Sequence, residues 1–189
     1  MSTPTYDALA AHWTRLHHLS HLQSIAGWDQ AANMPPKANE ARAAAMAEMA
    51  ALLHRLRTEP ALGERLQQAE QEPLSDLQRA NLREMHRVWR QSTALPESLV
   101  QKSQIAGARC EHAWRTQRPA NDWAGFLANF REVLALAREE ARLLAEQSGL
   151  GRYEALMDRF EPGLRTAQVD RVFGEVRQWL PGLIREVTA

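Results

Sequence analysis

The sequence contains a single cysteine, Cys110, among its 189 residues. One cysteine forms no intrachain disulfide and no thiolate metal cluster, so a disulfide-stapled fold and a cysteine-based zinc site are both excluded. No apolar run approaches the roughly 18 residues that a membrane-spanning helix requires. The N-terminus also lacks the basic and apolar regions of a signal peptide. We therefore expect a cytoplasmic protein.

Neither sign of charge dominates the composition. Lys and Arg together number 23, Asp and Glu together number 23, and the formal net charge is zero. Nucleic acids and anionic membranes bind basic surfaces, so this balance argues against both as partners. A hydrophobic content of 44% is ordinary for a globular protein. We expect residues 1–189 to form one helical region.

Common catalytic motifs are also missing. The sequence has no GxSxG elbow, no glycine-rich phosphate loop and no HExxH. Cys110 and His112 are two residues apart, and residues at that spacing do not face each other on a helix. Cys110 is therefore expected to be a small buried residue. No residue of this chain is predicted to be catalytic, and none is predicted to bind a metal.

Histidines are the one set of side chains that invites a metal site. His17 and His21 have the i, i+4 spacing that can bind zinc, and His12 and His18 are nearby. A metalloprotease helix would place a glutamate directly after the first histidine, and here that position is His18. Surface or groove histidines are the favoured interpretation, and a metal-binding helix is the weaker alternative.

Apolar residues recur at helical spacing, and alternation of β-branched residues is absent. The pattern predicts an all-α fold, a multi-helix array with long antiparallel helices. Proline within the last helix predicts a kink at Pro181. Apolar stripes predict core positions for four tryptophans: Trp13, Trp89, Trp114 and Trp179. The predicted helices are 5–26, 38–57, 61–71, 73–89, 96–113, the helix that follows the Asp122 cap and ends at Gly149, the short piece 153–163, and the helix capped by Thr166.

The segment GWDQAANMPPKANEAR, residues 27–42, separates the first two predicted helices. Gly27 is expected to let the first helix end, and Pro35 and Pro36 prevent a continuous helix. Asp29 is placed either to accept hydrogen bonds from the turn or to pair with Arg42.

This segment also carries a family resemblance. WDQAANMP, followed by an arginine at the start of the next helix, resembles the N-terminal signature of the carboxypeptidase Taq family, the M32 zinc metallocarboxypeptidases. Two further stretches are similar to the family in the same order along the chain. They are LVQKSQIAGARCEHAWRTQRPANDWAGFLANFREVLALAREEA and YEALMDRFEPGLRTAQVDRVFGEVRQWLPGLI. The resemblance extends from about Tyr6 to Ile184.

The resemblance implies a zinc enzyme that removes C-terminal residues from peptides. Members of the family are more than twice this long, and their zinc site comes from an HExxH helix and a later glutamate, all downstream of the matched region. The chain thus resembles the N-terminal helical part of a larger zincin-like metallopeptidase. We expect no zinc on residues 1–189 and no activity from this chain alone.

The resemblance implies peptide substrates for the complete enzyme, and a homodimer, since members are often dimers. The alternative is a non-enzymatic helical module that binds a peptide or a partner helix. Within the signature, Trp28 and Met34 are expected to plug the junction between two helices, although Trp28 and Asp29 lining the substrate cleft is a rival role. The signature residues, structural or cleft-lining, are Trp28, Asp29, Met34, Pro35 and Arg42.

Overall fold

The computed structural model describes residues 2–188, and this range contains helices and turns but no strand. The all-α prediction is confirmed. The α-helices are α1 Pro4–Ala32, α2 Asn39–Arg57, α3 Leu62–Ala69, α4 Asp76–Thr93, α5 Glu97–Gln117, α6 Trp123–Ser148, α7 Arg152–Met157 and α8 Thr166–Thr188. A 3₁₀ helix, Pro36–Ala38, precedes α2. No helix in the described range is long and apolar enough to cross a membrane.

Helix α1 continues past the glycine that was expected to end it. It runs through Gly27 to Ala32, so the predicted end at Ala26 is wrong. A glycine inside a helix costs only about 1 kcal/mol relative to alanine, and the hydrogen bonds of the following turn offset that cost. The helix ends before Pro35, because the residue before a proline avoids the α region.

Two predicted helix starts differ from the observed ones by one to three residues. Helix α4 begins at Asp76 rather than at Pro73, because Ser75 and Gln78 form a reciprocal capping box. Helix α5 begins at Glu97, with Pro96 as its N-cap residue rather than its first helical residue. In both cases the helix was predicted correctly, but its first residue was not.

The ends of α6 follow the sequence prediction. The Asp122 carboxylate accepts a hydrogen bond from the Gly125 N–H at 2.9 Å, as expected of an N-cap. Gly149 has a φ of 73° and closes the helix in the left-handed conformation, where glycine avoids the steric cost of a Cβ. Thr166, by contrast, is the first residue of α8, and its N–H and hydroxyl both donate to the Glu154 carboxylate.

The core lies where the first half of α1 meets α3 and α4. Trp13 and Trp89 pack against it, which confirms the prediction for these two tryptophans. The ring of Trp89 approaches Gly63 of α3 so closely that an added Cβ would lie 2.8 Å from a ring carbon. The buried members of this cluster are Tyr6, Leu9, Leu62, Leu66, Ala69, Leu74, Leu82 and Met85.

A second buried layer forms where α2 packs against α5, the most extensive helix pairing in the described range. The buried side chains of both helices are mostly small, as expected for α5, and small side chains let two helices approach closely. Cys110 is among them, which confirms that it is a buried residue. The buried residues of the two helices include Ala43, Ala47, Ala51, Ala106 and Ala108.

Helix α8 has an apolar face that nothing in the described range covers. None of its described residues is buried, and Phe173 and Val187 are 62% and 77% exposed. The core position predicted for Trp179 is therefore wrong here, and so is that of Trp114 on α5, because both rings are exposed. Pro181 does lie inside the helix. Amphipathic patterning identifies an apolar face but not the surface that the face packs against.

The N-terminus of α1 is capped by a side chain from far along the chain. Thr3 makes no side-chain cap, and instead the Glu72 carboxylate accepts from the N–H groups of Thr5 at 2.8 Å and Tyr6 at 2.9 Å. Burial raises the pKa of Glu72, but the backbone and side-chain hydrogen bonds from Tyr6 and Thr5 together outweigh it and hold the pKa below its ordinary value of 4.5. Ionised Glu72 therefore joins the start of α1 to the α3–α4 connection.

Gly63→Ala is expected to destabilise the protein by roughly 1–2 kcal/mol, because the new methyl overpacks the Trp89 ring by more than alanine gains in helix propensity. Gly107→Ala is the matched control. Gly107 also lies inside a helix, and nothing would lie within 4 Å of its Cβ, so this variant should gain up to about 1 kcal/mol. Urea unfolding of both variants measures the difference. Equal shifts in the two variants would contradict the packing of Trp89 on α3.

Glu72→Gln is expected to lower stability near neutral pH and to have little effect in acid. The pKa of Glu72 is lower in the folded protein than in the unfolded chain. Its contribution is therefore complete above about pH 4.5 and is lost as the pH falls through the folded value. Urea unfolding from pH 3 to pH 7 tests this. Glu64→Gln, at an exposed position on α3, is the control for the removal of one carboxylate, and parallel curves for the wild type and Glu72→Gln would refute the cap.

Candidate functional site

The segment 27–42 forms the corner between α1 and α2. The backbone carbonyl of Asp29 accepts hydrogen bonds from the N–H groups of Asn33 and Met34, both at 2.9 Å, and ends α1. Pro35 then has an extended backbone, with φ −61° and ψ 145°. Pro36 opens the short 3₁₀ helix that leads into α2. The two prolines therefore separate the helices, as expected.

Arg42 of α2 holds the last turns of α1. Its guanidinium pairs with the Asp29 carboxylate at 2.6 Å and donates to the Ala26 carbonyl at 2.9 Å. The sequence left two roles open for Asp29, and in the structure its carboxylate pairs with Arg42. Arg115 of α5 adds a third link, because it donates to the carbonyl of Gln30 at 3.1 Å. The end of α1 is therefore attached to both α2 and α5.

Trp28 and Met34, which were expected to plug this corner together, have different surroundings. Met34 is 8% exposed, consistent with a packing role. Trp28 is 64% exposed, so the prediction that it fills the junction is wrong. Since α1 continues through this position, Trp28 lies on an outward face of an intact helical turn. The rival role of Trp28 and Asp29 in a substrate cleft stays a prediction.

The histidines of α1 do not converge on a common site. His17, His18 and His21 are all exposed. His12 is partly buried, and its Nε2 lies 2.9 Å from the Leu56 carbonyl. Within residues 2–188, no three His, Cys, Asp or Glu side chains lie close enough together to hold a metal ion. The favoured interpretation, surface or groove histidines, agrees with this placement.

A cavity of about 510 Å³, lined by both polar and apolar residues, lies among α2, α4, α5 and α6, and sequence reasoning missed it. Its charged lining comes from α2, α4, α6 and the segment after α7, which are distant in sequence. No short motif joins these residues, so a single sequence carries little signal for it. The charged and titratable lining residues are His54, Arg57, Arg87, Glu140 and Arg159.

Two side chains of α2 at the wall of this cavity, His54 and Arg57, have lowered pKa values. Burial lowers the pKa of His54, Arg57 and Arg55 lower it further, and Glu97 only partly opposes them. His54 is therefore neutral at neutral pH. Burial also lowers the pKa of Arg57, and the positive charge of Arg159 adds to this effect. Arginine stays protonated even so.

Comparison with known proteins identifies the family. The model of the carboxypeptidase Taq (M32) metallopeptidase family matches residues 8–189. The chain belongs to this family. Thermostable carboxypeptidase 1 of Thermus thermophilus is 36% identical over 182 residues, which cover 90% of this chain and 36% of the Thermus protein.

Solved structures of M32 proteins share the fold. Metallocarboxypeptidase 1 of Trypanosoma cruzi is 41% identical with a TM-score of 0.82, and the match covers 99% of this chain and 38% of that one. The Pyrococcus furiosus carboxypeptidase is 26% identical with a TM-score of 0.81, over 100% of this chain and 38% of that one. The present chain therefore spans somewhat more than a third of the length of its M32 relatives.

Met34→Ala is expected to cost roughly 2–4 kcal/mol, because it leaves a cavity where a buried methionine packs at the α1–α2 corner. Trp28→Ala should change stability by less than about 0.5 kcal/mol, because most of the ring is in solvent. Thermal and urea unfolding of the two variants give the comparison. A large loss of stability for Trp28→Ala would restore its role as a plug of the corner.

Proposed function

We propose that this chain forms the N-terminal helical portion of a zinc-dependent metallocarboxypeptidase that removes C-terminal residues from peptides. The observation that carries the proposal is the family match, which extends over residues 8–189 and coincides with a shared fold. Relatives with this match are themselves named carboxypeptidases. In the proposed enzyme, this portion contributes helical wall around the substrate cleft.

The exposed face of α8 supports the proposal. Phe173, Trp179 and Leu183 are large apolar side chains in solvent on one amphipathic helix. Apolar faces of this kind usually pack against another element of the protein or a partner. The relatives have polypeptide beyond the matched region, and we infer that the corresponding part of the complete enzyme covers this face.

Zinc does not fit the residues of this chain. The described range has no cluster of three metal-ligating side chains, and the sequence has no HExxH. A catalytic zinc site needs three protein ligands and an open position for water. The proposed zinc site therefore lies outside residues 1–189, and no catalytic step is assigned to this chain's own side chains.

The purified 189-residue chain is expected to release no C-terminal residue from peptides and to contain far less than one zinc per chain. The physical reason is the absence of a ligand set and of a general base beside it. Peptide hydrolysis with and without added zinc, together with metal analysis, measures both properties. Thermostable carboxypeptidase 1 of Thermus thermophilus, assayed in parallel, serves as the control. Zinc-dependent hydrolysis by the chain would contradict the proposal.

The alternative is a non-enzymatic helical module that uses the α8 face to bind a peptide or a partner helix. The mass of the protein isolated from its source separates the two functions. A mass more than twice the 21.4 kDa of this chain is expected for the peptidase. A native mass of 21.4 kDa would favour the binding module.

A further inference from the structure

Arg57 lies at the wall of the cavity among α2, α4, α5 and α6 without a carboxylate to neutralise it. Its side chain is partly buried, and its guanidinium donates to the Ser20 hydroxyl at 3.2 Å. Among residues 2–188, no Asp or Glu lies within salt-bridge distance of it. The charged group that most affects it is Arg159, which repels it. Arg57 therefore carries an uncompensated positive charge.

The other charged groups at the cavity are already paired. Arg159 pairs with Glu140, and Arg87 pairs with Glu84 at 2.8 Å. His54 is neutral, because burial and the nearby arginines lower its pKa. The charge of the cavity wall is consequently about that of one guanidinium.

The rest of the lining is partly neutral polar and partly apolar, and its apolar residues are Ala50, Val88, Leu95, Leu99 and Val100. Amide and hydroxyl side chains surround the space beside Arg57, and they offer donors to a small anion without adding charge. The cavity volume of about 510 Å³ exceeds what a single water or halide would fill. These neutral polar residues are Gln23, Gln91, Ser92, Ser103 and Gln104.

A partly buried guanidinium without a partner is unfavourable unless an anion compensates it. Arg57 does lie in the last turn of α2, where the helix dipole favours a positive charge. That effect is small compared with desolvation of a full charge, and it leaves the fork of N–H donors unused. An anion with one negative charge would compensate Arg57.

We propose that this cavity binds a small organic carboxylate, with Arg57 as the anchoring cation. A carboxylate matches the planar guanidinium in two parallel hydrogen bonds. Its single negative charge balances the single uncompensated arginine, which a phosphate dianion would exceed. The proposal does not depend on the proposed peptidase function.

Thermal unfolding with increasing acetate at constant ionic strength tests the site on the 189-residue chain. Acetate should raise the melting temperature saturably, because it binds the folded state alone. Acetamide, which has nearly the same shape without the charge, should not. Phosphate is the third probe, and it should act more weakly than acetate.

Arg57→Gln should weaken acetate binding by about tenfold or more, since it removes the charged fork. Arg55→Gln is the matched control, because Arg55 is two residues away, exposed, and paired with Glu97 at 2.7 Å. Its response to acetate should equal that of the wild type. Arg57→Lys keeps the charge without the fork, so it should bind with intermediate affinity and serves if Arg57→Gln folds poorly.

Three outcomes would overturn the proposal. One is no saturable stabilisation of the wild type by acetate. Another is an undiminished response in both Arg57 variants, which would locate the anion elsewhere. The third is stabilisation by phosphate alone, which would exclude a carboxylate. A purely structural Arg57 would instead show the same loss of stability in Arg57→Gln at every acetate concentration.

Discussion

An all-helical chain must satisfy the free backbone N–H and C=O groups at every helix end, and this constraint organises the structure. Helix α1 shows it at both ends. Glu72 accepts the first N–H groups, and Arg115 donates to the Gln30 carbonyl in the last turn. These partners are distant in sequence, so each cap also fixes one helix against another. The caps of α1 thereby join it to α5 and to the α3–α4 connection, and the Arg42–Asp29 pair joins it to α2.

The corner at residues 27–42 gains its order from the same interactions. The Asp29–Arg42 pair is only partly shielded from solvent, and such pairs contribute modestly to stability. The pair matters more for the placement of the two helices, because Arg42 contacts both a side chain and a backbone carbonyl of α1. Met34 is buried at this corner. Asp29, Met34 and Arg42 of the segment 27–42 therefore contribute to the contact between α1 and α2.

Burial divides the molecule unevenly. The first half of α1 with α3 and α4 forms a conventional apolar core, and α2 and α5 pack through small side chains. Helix α8 contributes an amphipathic sequence without a covered face. The chain spans about a third of the length of its M32 relatives. The Arg57 cavity is lined mainly by residues of α2, α4 and α5.

The sequence by itself determined what depends on local physics. Helical periodicity predicted the all-α fold, and the Asp122 cap and the Gly149 stop followed from side-chain chemistry within a few residues. The WDQAANMP segment and two later stretches of sequence indicated the family. The local rule failed at Gly27, because its small helical penalty is outweighed by the continuing helix that Arg42 holds.

Only the tertiary structure decided which long-range groups meet. Glu72 caps α1 across more than sixty residues, Trp28 faces solvent while Met34 is buried, and the partners around Arg57 converge from separate helices. None of these placements follows from periodicity, which identifies an apolar or polar face but not its neighbour. Which helix packs against a given face depends on the packing of all the helices together, and the sequence of one helix does not determine it.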